Sequence, residues 1–248
     1  MDPYSWSVDP DAVVVVPTLV VGYALLQVWW PASRERRIAF AASQVLLVVV
    51  FVTPLETLAL HYLLSAHLLQ NVVVAEWAPG LAVFGLARAL ARELERHAVV
   101  RALTHPLVAL PIWVATYFTW HVPWIYDSAL EHPSSLLHVE HAAYFASGVL
   151  MWWPVVHGRW SDGAKALYLF AAFVAASPLG LLFALLPHPA YAFYKQAPHV
   201  WELGHLTDQQ IAGVTMAVEE AIVFFALFAF YLARFLRSEA IVGVYGRR

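Results

Sequence analysis

The stretch F-T-W-H-V-P-W-I-Y-D, Phe118 to Asp127, ends an apolar run with a histidine between two tryptophans, followed by a proline and an aspartate. A histidine in that setting is either an interface anchor or a ligand, since imidazole is the commonest transition-metal donor of proteins. Others stand at helical spacing. His138 and His141 are three apart and share a helix face, and His67 shares its face with Gln70 and Asn71. The candidate metal ligands are therefore His67, His121, His138 and His141. Gln70, Asn71, Asp127, Glu140 and Asp208 are the polar residues placed to support them or to handle protons. No catalytic residue is singled out.

The elements that must position these side chains are membrane helices. Apolar residues make up 61% of the chain, charged residues 12%, and the mean hydropathy is +0.65. The apolar residues come in blocks near the length a helix needs to cross a bilayer, where the backbone must satisfy its own hydrogen bonds. The sequence predicts an all-α polytopic bundle, one membrane domain over 1–248, with about seven transmembrane helices near 12–30, 38–54, 60–84, 107–126, 136–156, 164–186 and 210–235. Cysteine is absent, which excludes disulfides and thiolate metal sites. Nucleic acid is not among the expected partners.

Basic residues orient the bundle. Of the fourteen, only Lys195 falls on one side; Arg34, Arg36, Arg37, Arg88, Arg92, Arg96, Arg101, Arg159, Lys165, Arg234, Arg237, Arg247 and Arg248 fall on the other. The N-terminus is therefore expected outside and the C-terminus in the cytosol, in the inner (plasma) membrane of a prokaryotic cell. Nine of the twelve histidines then belong to the outer half, with only His97, His105 and His157 in the inner half. At a rise of about 1.5 Å per residue, His67, His121 and His141 reach one layer roughly 8–10 Å below the outer ends of three different helices. Pro123 is expected to bend its helix so that the His121 imidazole turns inward. The segment from Pro187 to Asp208, rich in Tyr, Phe, Trp and His, is expected to lie over the mouth of the bundle.

Carboxylates extend the pattern. Asp127 ends the fourth span and is expected to cap it or to orient a ligand. Glu140 points about 100° away from His141 on a helix, which suits a supporting role. Glu219 and Glu220 lie near mid-membrane, where an unpaired carboxylate is costly. At least one is expected to be protonated or bonded to Gln44, Thr116 or Ser177, as a polar knot between helices or as part of a proton or ion path.

From about residue 50 to 235 the chain resembles the multi-span CtaG family of cytochrome c oxidase assembly factors. The resemblance rests on Trp120, His121, Pro123, Tyr126 and Asp127, on His138, Glu140 and His141, on His67 with Gln70, and on Asp208, Gln209, Gln210, Ala212 and Gly213. Asn71 stands where the family pattern has a second histidine, Leu68 replaces its methionine, and Glu219–Glu220 replace apolar, Gly or Pro residues. The resemblance implies maturation of a haem–copper oxidase at the copper-insertion stage, on the outer side, with oxidase subunits or an outer-side copper chaperone as partners. It implies assembly or metal handling rather than catalysis.

A His-rich set without sulfur suits Cu(II) or Zn(II) better than Cu(I). Three other readings compete. A zinc-dependent intramembrane hydrolase would use His67, His121 and His141 with Asp127 or Glu140 as base. Haem would be held between two facing histidines. A proton-coupled transporter would use Glu219 or Glu220. A retinal protein is excluded, because Lys165 and Lys195 both lie outside the spans.

Overall fold

A computed structural model describes residues 2–245, with side chains through Glu239. It is helical over 81% of the chain, with no strand among the described residues. The helices are α1 (Asp11–Trp29), α2 (Arg34–Val52), α3 (Pro54–His61), α4 (Leu64–Gly85), α5 (Arg88–Leu94), α6 (Ala98–Leu103), α7 (Pro106–Trp120), α8 (Pro123–Glu131), α9 (His138–Val156), α10 (Asp162–Leu185), α11 (Ala192–Lys195) and α12 (His205–Tyr245).

Four of these, α1, α4, α10 and α12, are long and apolar enough to cross a membrane, and α2 with α3 makes a fifth if the pair, bent by 53°, is one span. The expected spans 107–126 and 136–156 take the form of the fifteen-residue α7 and the nineteen-residue α9. The breaks fall where proline dictates. Pro54 opens α3 and Pro123 opens α8; the residue ahead of each is extended, because the proline ring disfavours helical backbone at the preceding position. The fourth apolar run therefore stops as a helix at Trp120 and restarts at Pro123, leaving His121 in the break.

Small residues set how closely the helices approach. A Cβ on Gly148 of α9 would lie 2.1 Å from the Ala75 carbonyl oxygen of α4. On Gly213 of α12 it would lie 2.3 Å from the backbone nitrogen of Ala184 in α10. Between them α4 contains a π-helical segment, Val73–Trp77, just ahead of Pro79, which has no N–H for the ladder. The carbonyl of Glu76 there accepts a hydrogen bond from the Trp152 indole at 2.8 Å, and that of Ala78 from the Ser43 hydroxyl at 2.7 Å. Backbone groups in hydrocarbon need such replacements.

Candidate metal centre and buried carboxyl cluster

His67, His121 and His141 are all buried, on α4, in the α7–α8 break and on α9. The ring of Tyr126 lies between the first two, with centroids 5.1 Å from His67 and 5.9 Å from His121. His67 lies near both His121 and His141.

Hydrogen bonds fix the tautomer of each ring. His121 Nδ1 is 2.8 Å from the Tyr117 carbonyl oxygen, which can only accept, so Nδ1 carries the hydrogen. His141 Nδ1 is 2.8 Å from Asp11 Oδ2, a carboxylate acceptor, with the same result. His67 Nδ1 is 2.9 Å from the Tyr194 hydroxyl, whose own hydrogen goes to the Ala59 carbonyl at 2.5 Å. Burial holds the Tyr194 phenol well above its ordinary pKa, so that donor stays in place. The His67 nitrogen therefore donates as well. Each ring is left with a bare Nε2 lone pair, and all three Nε2 atoms are buried without a hydrogen-bond partner. An Nδ1–H held by a carbonyl, carboxylate or hydroxyl with a free Nε2 is the arrangement that metal-ligating imidazoles use.

The rim of the site adds a second grouping. Ligand atoms of Asp11, His138 and His141 all lie within 4.8 Å of one another, a grouping among the described residues that could hold one ion. His67 and His121 are not in it. Asp9 lies beside it, with Oδ1 3.9 Å from His138 Nδ1, and burial raises the Asp9 pKa. Glu56 faces Asp9 and accepts from Gln70, whose amide also donates to the Val50 carbonyl at 3.1 Å. Of the four expected ligands, the structure thus brings His138 and His141 together at the rim and sets His67 and His121 deeper, with His141 bordering both.

The supporting residues have definite tasks. Asp127 accepts from the backbone N–H groups of Ala192 and Phe193, both at 3.0 Å, and so caps α11 rather than orienting a ligand. That short helix carries Tyr194 to His67, and Tyr191 ahead of it donates to the His121 carbonyl at 3.1 Å. The segment after α10 does lie over the imidazoles. Asp208 accepts from the backbone N–H of Leu64 at 2.7 Å and of Ser65 at 3.2 Å, capping α4 one turn before His67. Asn71, standing where a second histidine is expected from the resemblance, donates to Glu140 at 3.2 Å. Its Oδ1, Glu140 Oε2 and the Tyr126 hydroxyl are buried and unpartnered beside the imidazoles.

A separate polar region lies deeper. Glu220 accepts from the Tyr117 hydroxyl at 2.7 Å and meets Ser177, one of the three partners expected for it. Glu219 accepts from the Trp77 indole instead of Gln44 or Thr116. Gln44 bonds Ser43 at 3.4 Å, and the Thr116 hydroxyl bonds the Ile112 carbonyl at 2.9 Å. Facing both glutamates is Glu76 of α4, fully buried, with its carboxyl against that of Glu219. Sequence reasoning passed over Glu76, though it is a lone acid in the apolar run N-V-V-V-A-E-W. It also passed over Asp9 and Asp11, which precede the first apolar run, and the tyrosines that set the tautomers.

A family model described as "Cytochrome c oxidase caa3 assembly factor (Caa3_CtaG)" matches residues 19–238. No curated protein and no solved structure matches the chain.

Proposed function

The chain belongs to the cytochrome c oxidase caa3 assembly factor family, and from that premise we propose that it handles a metal ion of the copper type for a haem–copper oxidase, at the outer side of the membrane. The observation that carries this reading is the set of three buried imidazoles, His67, His121 and His141, each with Nδ1–H engaged and Nε2 bare. Asp11, His138 and His141 form its entrance, where an ion first exchanges water for protein ligands.

The donor set fits a borderline ion. It is nitrogen with carboxylate oxygen, the chain has no cysteine, and Met151 and Met216 are packed in the apolar core. Such a set favours Cu(II) or Zn(II) over Cu(I). The metal is cargo here, and the residues bind it, orient it and keep water away from it. Tyr191 and Tyr194 cover the inner imidazoles, and Asp127 holds that cover in place. The reading includes the seven-span topology with the N-terminus outside, which puts the imidazoles where an outer-side oxidase subunit or copper chaperone could collect the ion.

The test is elemental analysis of the purified full chain after equilibration with copper and, separately, with zinc. Wild type is expected to retain metal, and His121→Ala and His67→Ala to lose it. Equal metal content in wild type and both variants would sink the reading.

A further inference from the structure

Away from the imidazoles, a groove of about 680 Å³ opens between the start of α7, the end of α9 and the start of α10. Its walls are apolar, among them Leu110, Val155, Tyr168 and Ala171, and its rim residues Leu107 and Leu167 are 79% and 68% exposed. In a bundle that spans a membrane, such a rim faces acyl chains. The volume is that of a site for a small organic ligand.

One end of the groove is not apolar. His105 and Trp160 belong both to it and to an adjoining cup lined by Arg101, Thr104 and Arg159. Arg159 continues into a second cup with Arg88 and Arg92. Among the described residues the only acid lining either cup is Glu95, which already accepts from the Trp153 indole at 3.0 Å. Arg101 donates to the carbonyls of Glu95 and Arg96, at 3.3 and 3.0 Å. Arg88, Arg92 and Arg159 have no carboxylate partner among the described residues. Lys165 sits at the groove wall, tied to the Val155 carbonyl at 2.8 Å.

We propose that this groove and the cup at its end bind one phospholipid with an anionic headgroup. An acyl chain lies along Leu110, Val155 and Ala171, and the phosphate meets Arg159 and Arg101. The charge decides the occupant: a hydrophobic helix of a partner would fill the groove but leave the arginines unanswered, and a zwitterionic lipid would answer them in part. Basic pockets between membrane helices select anionic headgroups on these grounds. Indole and imidazole at the junction suit the boundary between acyl chain and headgroup.

The experiment uses the full chain reconstituted in nanodiscs of equal phosphatidylglycerol and phosphatidylcholine, extracted in detergent and measured by native mass spectrometry. Wild type is expected to keep phosphatidylglycerol in preference to phosphatidylcholine. Arg101→Ala with Arg159→Ala is expected to lower that retention about thirtyfold, from roughly fivefold for each basic residue near an anionic headgroup. Both arginines are exposed, so the fold tolerates the change. Ala171→Trp, which fills the groove and leaves the arginines, is expected to lower retention of both lipids. Equal retention of the two lipids by wild type, or unchanged retention in the arginine variant, would overturn the proposal. So would a copurifying protein chain in place of lipid.

Discussion

The imidazole site and the carboxyl cluster are both buried and polar, yet they are built on opposite logic. At the imidazole site every ring has its donor engaged and its acceptor idle, so three lone pairs await an electrophile. At the carboxyl cluster Trp77 and Tyr117 supply one donor each to Glu219 and Glu220, while both carboxyl oxygens of Glu76 are buried with no hydrogen-bond partner among the described residues. Among the described residues no Lys or Arg is bonded to any of the three. The first region thus presents idle nitrogen lone pairs, and the second presents buried carboxyl oxygens that outnumber their donors. Tyr117 belongs to both: its hydroxyl serves Glu220 and its carbonyl serves His121.

The largest effect expected from this contrast is at His141, which borders both the rim and the inner imidazoles. Its hydrogen-bonding partner alone would be worth about ten- to hundredfold in metal affinity. His141→Ala removes the ligand itself and should exceed that, measured as copper retained against a chelator. The same change should leave the carboxyl cluster intact, so thermal unfolding of the metal-free protein should shift little. A large loss of stability with metal retained would reverse the assignment of the two regions.

Next in size is Gly148→Ala. The added Cβ would fall 2.1 Å from the Ala75 carbonyl oxygen, which is backbone and cannot swing aside. Forcing α4 and α9 apart should cost about 1–3 kcal/mol, read as a lowered Tm. Because Ala75 precedes Glu76, this change loads the carboxyl cluster first. Tyr117→Phe should follow at about 1–3 kcal/mol, the cost of leaving a buried acceptor on Glu220 unsatisfied. It keeps the Tyr117 carbonyl, so His121 keeps its tautomer and metal content should not change. If Tyr117→Phe released metal, the two regions would be one network.

How much of this was readable in the sequence depended on whether a residue's task is local. His138 with His141, and His67 with Gln70 and Asn71, follow from helix periodicity, and the structure places the five in polar contacts between helices. The sequence leaves Asp127 as either a cap or a ligand-orienting group and points to Asp208 as a supporting residue; in the structure both accept from backbone N–H groups at helix starts. The two uses share one residue type, and only the partner separates them: α11 lies 65 residues from Asp127, and the start of α4 lies 144 residues from Asp208. Asp11 escaped notice because it comes before the first apolar run, and it also lies ahead of the stretch 19–238 that matches the family. Its value comes from α9 folding back beside α1. Glu76 was legible in principle, as a lone acid in an apolar helix, but its place opposite Glu219 and Glu220 of α12 was not.

The smallest expected effect tests the cover over the imidazoles. Asp127 holds a helix of only four residues, Ala192–Lys195, through two backbone N–H groups. Losing such a cap costs about 1 kcal/mol, too little to unfold a bundle whose α10 and α12 pack through Gly180 and Gly213. The cost falls on α11 alone, where Tyr191 and Tyr194 must stay down for His121 and His67 to keep their partners. Asp127→Ala should therefore leave Tm nearly unchanged and equilibrium metal content reduced only a fewfold. It should speed metal release to a chelator by more than it weakens binding, since an opened cover accelerates entry as well as exit. A variant with slower release would mean that α11 guides the ion out rather than holding it in.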